Sequence, residues 1–291
     1  MRSLLFIPAH DERKLAKGLD SGADALIIDM EDAVPEADKA RARGMCAEFV
    51  KEHRERLPLF VRVNALSTGL LLDDLAAVVR AQPCGIMLPK CMSGRDVALV
   101  DAYVSALEAR DGVAAGSLRI LPIVTESAAA LFDMGSYSTA AGSRLCGMMW
   151  GGEDLAADVG TVANRGAQGR YTAPYELARS LTLFGASAAQ VLAVDAVYTN
   201  FRDAEGLKAE AAEALRDGFS AKAAIHPAQV GPINEAFTPS AEDVAWAKQV
   251  IAAFDEAPGR GAIAIEGKML DRPHYRAAQR VLARANIPVH S

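Results

Sequence analysis

Eight short apolar runs recur along the first 237 residues: SLLFIP, ALIIDM, PLFVRVN, GIMLPK, RILPIVTE, RLCGMMWGG, QVLAVDAVY and AKAAIHP. Each is strand-sized, and several are rich in the branched residues that suit a pleated, buried surface. Between them lie mixed stretches such as ADKARARGMCAEFVKEH and GRDVALVDAYVSALEAR, whose apolar residues return at three- and four-residue steps. That spacing predicts amphipathic helices laid over a sheet. Strictly alternating strand and helix patterns build a parallel α/β sheet. Eight such units ending near residue 237 predict a closed (β/α)8 barrel of the TIM type. Residues 238–291 are surplus to that barrel: a helix from Ser240 to Glu256, a strand pattern in AIAIEGKML, and a final helix from Arg272 to Ala285.

With 291 residues and 51% apolar content the chain can bury a full-sized core. The net charge of −6 is spread without a long block of one sign, so neither nucleic acid nor an anionic membrane surface is an expected partner. Cys46, Cys84, Cys91 and Cys146 form no C-x-x-C pair, and the sequence has no secretory n-region and no membrane-length apolar run. The expectation is a reduced, cytoplasmic chain without thiol chemistry, in which Cys91 behaves as a small hydrophobe.

Strands of such a barrel are buried on both faces, and their C-terminal ends surface at the mouth where active sites form. Read in order, those ends offer Asp29, Glu31 and Asp32, then Arg62 and Asn64, then Lys90, Glu126, Asp154, Asp195 and His226. Acids converging on one rim repel each other unless a cation compensates, and an oxygen-only donor set suits Mg²⁺ or Mn²⁺. Glu126 and Asp154 follow their strands most directly, and Gly151 and Gly152 let the backbone approach a small ligand closely. The competing explanation is that both acids cap the helices that follow. Arg62 sits inside an apolar run, so something anionic must meet it. Either it makes a structural salt bridge with Glu31 or Asp32, or its planar fork holds a substrate carboxylate or an oxyanion. His10 and His226 are candidate bases or hydrogen-bonded structural histidines.

Motifs of other chemistries are missing: there is no G-x-G-x-x-G after a strand, no P-loop, no G-x-S-x-G and no H-x-x-x-H helix. Dehydrogenases, P-loop NTPases, serine hydrolases and zincins are thereby set aside. A Schiff-base aldolase built on Lys90 stays open in principle, unless a neighbouring acid pairs with that lysine.

RSLLFIPA, DMEDAV, VRVNA, IMLPK, TESAAAL, GGEDLAADVG and AIHPAQV follow one another in this order. Together they resemble the citrate lyase β-subunit family of the HpcH/HpaI aldolase superfamily, over nearly the whole chain. The resemblance implies a Mg²⁺-dependent carbon–carbon lyase, with Glu126 and Asp154 as metal ligands and Arg62 as the substrate-binding arginine. Gly152 and Glu153 would contact substrate, and Glu31 and Asp32 would form the layer behind the metal and Arg62. The substrate implied is a 3-hydroxy-3-carboxyacyl-CoA, citramalyl-CoA or malyl-CoA, cut to acetyl-CoA and pyruvate or glyoxylate. Alternatives within the resemblance are a citryl thioester lyase subunit working with an acyl-carrier protein, and a noncatalytic subunit that binds CoA or a partner. Members that cleave malyl- and citramalyl-CoA carry a segment like GKMLDRP whose aspartate, here Asp271, reaches a neighbouring subunit's site. Residues 238–291 would then be a lid in a homo-oligomer, a trimer or hexamer. By itself, Asp271 ahead of Pro273 reads as the N-cap of the last helix. Arg13 and Lys17, four apart on the first helix, are candidates for the CoA phosphates or simply solvated side chains.

Overall fold

The computed structural model describes residues 1–287 apart from Gln168, Pro258 and Asn286. These fall into two compact units, residues 1–234 and the chain from Glu235 onward. All eight predicted strands are present: β1 Ser3–Pro8, β2 Ala25–Asp29, β3 Leu59–Arg62, β4 Gly85–Leu88, β5 Arg119–Pro122, β6 Gly147–Met149, β7 Leu192–Asp195 and β8 Ala221–Ala224. Helices α1 Glu12–Leu19, α2 Lys39–His53, α3 Leu71–Val78, α4 Gly94–Asp111, α5 Tyr137–Ala140, α6 Glu153–Val159, α7 Ala173–Ala189 and α8 Ala204–Asp217 connect them, α6 and α7 both lying between β6 and β7. α9, Val230–Phe237, runs across the boundary between the units. No helix among the described residues is long and apolar enough to cross a membrane.

The strands pair in parallel in the order β5-β4-β3-β2-β1-β8-β7-β6. The seam between β5 and β6 closes through single bridges, Ile120 with Leu145 and Ile123 with Met149. The offset between partners grows by one residue from the first bridge to the second, the mark of a bulge on the β6 side between Leu145 and Met149. Strand periodicity of two sends one set of side chains inside. Leu4, Ala25, Ile27, Phe60, Met87, Leu121, Ile123, Met149, Val194, Ala221 and Ala223, drawn from all eight strands, form that buried interior. The barrel is therefore a packed core with its chemistry at one end, as the alternating pattern predicts.

An ion cluster fastens the seam. Arg144, just ahead of β6, forks onto Glu108 of α4 at 2.8 and 2.6 Å and donates to the Leu118 carbonyl at 3.0 Å. Asp101 and Ser105 of α4 take its remaining donors. Burial opposes ionisation of Glu108, but Arg144 and the Gly116 and Leu118 N–H groups outweigh it and bring the carboxyl down to about 2. A depressed carboxyl stabilises the fold above its unfolded value of about 4.3, and that stabilisation disappears as pH falls toward 2. Glu108→Gln is expected to lower stability by about 3 kcal/mol near neutral pH, since it strips a buried guanidinium of its forked carboxylate and leaves it Asp101 alone as an acidic partner. Urea titrations should show that difference shrinking between pH 5 and pH 2. An equal gap at both ends of that range would discount the pair.

The second unit contains α10 Ala241–Asp255 and α11 Arg272–Arg284, joined through an antiparallel pair, β9 Ala262–Ile265 and β10 Lys268–Asp271. The single strand pattern read in AIAIEGKML is thus a hairpin. Glu266 and Gly267 turn it with φ of 50° and 77°, both in the left-handed region that a two-residue turn of this kind requires. Ser240 caps α10 in a capping box with Asp243, which explains why that helix begins where the sequence places it. Apolar faces of both helices and the hairpin give this unit its own small core around Val250, Phe254, Leu270 and Leu282.

Candidate functional site

The C-terminal ends of the strands surround a cavity of about 430 Å³. Asp29, Asp32, Arg62, Glu126, Gly152, Glu153 and Asp154 all line it, so residues spread over 125 positions of sequence meet in one place. Phe6, Ile123, Met149, Trp150, Tyr171 and Val197 supply apolar walls. Such a mix of apolar surface and a few converging charges is the usual character of a small-molecule site.

β2 and β3 put Asp29 opposite Arg62 in register, and the two side chains form a fork. Arg62 Nε lies 2.7 Å from Asp29 Oδ1 and Nη2 lies 2.6 Å from Oδ2. Nη1 is 3.0 Å from Glu31 Oε2 and 3.7 Å from Asp32. Sequence reasoning offered Glu31 or Asp32 as the ion-pair partner. The main partner is Asp29, which takes the fork of Nε and Nη2, while Nη1 makes the ion pair with Glu31 that the sequence allowed. Adjacent parallel strands bring residues of one register side by side, so the Asp29–Arg62 pair was hidden only by not knowing that register. The guanidinium lies 5.0 Å above the Phe6 ring, a cation–π contact. Burial works against its charge, but Asp29, Glu31 and Asp32 together hold it firmly protonated.

Lys90 is the hub of the acids. It ends the β4 run with φ of 50°, an uncommon conformation for a residue with a side chain, and one that recurs at functional sites. Its backbone N–H donates to the Glu126 carboxylate, and its ammonium lies 2.5 Å from Glu31, 3.4 Å from Asp154 and 3.6 Å from Asp32. Burial lowers the pKa of this amine, yet the surrounding acids outweigh that and push it well above the ordinary lysine value. A Schiff base needs the free amine, so this environment disfavours it.

Glu126 is 6% exposed, and burial first, then Asp154 and Glu31, push its carboxyl up to about 8. Glu31, itself 5% exposed, is also raised, chiefly by burial. Gly151 lies directly against Glu126: a Cβ there would stand 2.9 Å from the Glu126 Cγ and 3.2 Å from Ile123. Gly152 has the same problem with the Trp150 ring, 3.0 Å away. A side chain at Gly151 would force its neighbours to shift, and one at Gly152 would crowd the Trp150 ring, so both glycines favour close packing as well as close approach of a ligand.

The donor set at the cavity is oxygen-rich, as a hard divalent ion requires. Among the described residues no three His, Cys, Asp or Glu side chains gather as a metal cage. Mg²⁺ seldom needs one, because it keeps several waters and is held by one or two carboxylates together with substrate oxygens. Two carboxylates at one cavity, one of them buried and destabilised by its acidic neighbours, fit such an ion.

Other candidates stand elsewhere. Glu153 sits at the cavity, with its carboxylate accepting from Asn164 Nδ2 at 2.9 Å. Arg13 and Lys17 are exposed on α1. His226 is used as a cap: Nδ1 accepts the Ala228 N–H at 3.1 Å, and the exposed ring stacks on Phe201. Asp271 is the N-cap residue of α11, and its Oδ1 lies 2.6 Å from Nδ1 of His274. Asp195, grouped with the strand ends from sequence, is 1% exposed and bonds to Trp150, Arg179 and Lys222. Trp150 and Tyr171 escaped sequence reasoning, since nothing in RLCGMMWGG or in the loop carrying Tyr171 announces a wall.

Comparison with known proteins agrees with this geometry. A family model described as HpcH/HpaI aldolase/citrate lyase matches residues 2–227. The crystal structure of protein CitE from Mycobacterium tuberculosis in complex with magnesium, acetoacetate and coenzyme A superposes with a TM-score of 0.78 at 35% identity, covering 98% of each chain. A (3S)-malyl-CoA thioesterase of Cereibacter sphaeroides is 35% identical over 294 residues, spanning 98% of this chain and 94% of that protein. The mitochondrial citramalyl-CoA lyase of Rattus norvegicus is 31% identical over 297 residues, spanning 98% of this chain and 86% of that protein. A barrel of this topology, a mouth ringed by these acids and Arg62, and likeness along nearly the whole chain together show that this protein belongs to the HpcH/HpaI aldolase/citrate lyase family.

Proposed function

We propose that the protein is a Mg²⁺-dependent carbon–carbon lyase that cuts a 3-hydroxy-3-carboxyacyl-CoA, citramalyl-CoA or malyl-CoA, into acetyl-CoA and a 2-oxo acid. The observation that carries the reading is the convergence of Glu126 and Asp154 on the cavity that Arg62 also lines. Glu126 and Asp154 would hold the ion, with Mn²⁺ as a substitute. When bound, it supplies Lewis acidity toward the substrate hydroxyl and the neighbouring carboxylate.

The chain's own groups do the rest. Arg62, kept charged by Asp29 and Glu31, brings to the cavity the positive charge that stabilises a substrate carboxylate or the thioester enolate oxygen. Glu31 and Asp32 hold Lys90 and Arg62 in position and so act behind the ligands. Gly152 and Glu153 present backbone to the acid half of the substrate. Asp271 of a neighbouring subunit in a homo-oligomer, trimer or hexamer, exchanges the proton of the acetyl methyl carbon, and residues 238–291 serve as the lid. Arg13 and Lys17 meet the CoA phosphates. The cytoplasm is the compartment that suits a chain with four free cysteines.

The thioesterase relative favours a second reading, in which water cleaves the thioester and free CoA leaves. Purified protein with Mg²⁺ and a panel of hydroxyacyl-CoA thioesters separates the two. Release of acetyl-CoA with a stoichiometric 2-oxo acid supports the lyase. Free CoA with an intact hydroxy acid supports hydrolysis, and neither product with any thioester sinks both.

A further inference from the structure

Behind the cavity wall the side chains close a ring of contacts. Trp150 Nε1 donates to Asp195 Oδ1 at 2.7 Å, and Asp195 Oδ2 takes Lys222 Nζ at 2.7 Å. Lys222 Nζ also donates to Glu210 Oε1 at 2.9 Å, and Glu210 Oε2 takes Arg165 Nη1 at 2.6 Å. The Arg165 guanidinium lies 3.7 Å over the Tyr171 ring, and that ring meets Trp150 edge to face at 4.8 Å. Only Trp150 and Tyr171 of these six line the cavity.

Strand alternation explains how the ring arises. Ala221, Ala223, Val194 and Met149 belong to the barrel interior, so Lys222, Asp195 and Trp150, one position along, turn outward toward the helices. A lysine that is 0% exposed there must be fully satisfied. Its third donor goes to the Ala196 carbonyl at 2.7 Å, so all three are used. Arg165 and Tyr171 belong to the segment between α6 and α7, which leaves α6 at Gly160. Through Glu210 of α8, that segment is tied to two barrel strands.

We infer that Glu210 and Lys222 are positioning residues that fix the Trp150–Tyr171 wall of the substrate cavity through Asp195 and Arg165. Neither touches the cavity. The wall they hold presents aromatic ring surface, whose apolar contacts act alike on bound substrate and transition state. Loosening it raises KM and leaves kcat nearly unchanged. The kinetic part rests on the lyase reading above, whereas the state of the wall does not.

The protein has two tryptophans, so Trp246→Phe leaves Trp150 as the sole tryptophan, which red-edge excitation selects over the tyrosines. In that background Glu210→Gln breaks the ion pair to Arg165 while keeping the shape of the side chain. Acrylamide quenching of Trp150 is expected to rise about threefold with the circular dichroism unchanged, and KM for the cleaved thioester about tenfold with kcat within twofold. Glu210→Asp, which keeps the charge, should recover part of both. Should Glu210→Gln fail to fold, Arg165→Lys, which keeps a cation beside Glu210 but gives up the flat stack on Tyr171, is read the same way. Quenching and KM equal to the parent, with only a lower melting temperature, would overturn the inference and leave the ring a matter of stability. If the parent cleaves no thioester, the lyase reading fails and the quenching measurement still decides the inference.

Discussion

Glu126→Gln and Asp154→Asn are each expected to reduce lyase turnover by at least about 100-fold, beyond the loss typical when an outer-layer partner of a metal site is removed. Mg²⁺ binding, measured by calorimetry, should weaken in both. The fold should survive, because Glu126 is buried among acids that already disfavour its charge, and glutamine keeps its shape. The same argument makes the Glu126 variant the cleaner test: it removes the ionisable oxygen a metal would bind without opening space. Gly151, packed against the Glu126 side chain, keeps the backbone where it is. Unchanged metal affinity in both variants would refute the pair as ligands and leave them as acidic partners of Lys90.

The second large effect concerns Asp271. Asp271→Asn is expected to lose about 10²- to 10⁴-fold in turnover, the usual scale for removing a positioned acid–base group. Asparagine can still cap α11, so stability should change little. His274, 2.6 Å from the carboxylate, gives the group a partner that keeps it oriented. If a neighbouring chain supplies Asp271, mixing inactive Asp271→Asn subunits with inactive Arg62→Ala subunits regenerates complete sites. Random mixing in equal amounts would restore roughly a quarter of sites in a ring of like subunits. Subunit exchange is verified separately, by mass difference between labelled and unlabelled chains. With exchange established, a mixture as inactive as its parents would rule out sharing, and a fully active Asp271→Asn enzyme would remove Asp271 from the chemistry.

Most of the architecture was legible in the chain because it is written in local patterns. Eight strand-sized apolar runs separated by amphipathic helices admit few arrangements other than a parallel barrel, and once that is granted the ends of the runs must gather at one mouth. Asp29, Arg62, Lys90, Glu126 and Asp154 were therefore placed at one site by sequence alone, and all converge there. Which of them touch was decided by tertiary structure. Asp29, rather than Glu31 or Asp32, forks Arg62 because the register of β2 against β3 sets them level, and no local pattern carries register. Lys90 became the hub of the acids through a left-handed backbone that the motif does not announce. The AIAIEGKML strand became a hairpin because Glu266 and Gly267 accept positive φ, a two-residue decision inside an otherwise unbroken β pattern. Asp195 shows the division most clearly: sequence placed it among the strand-end residues. Only the pleat, by turning it outward between strands and helices, made it the buried partner of Lys222 behind the wall instead of a member of the rim.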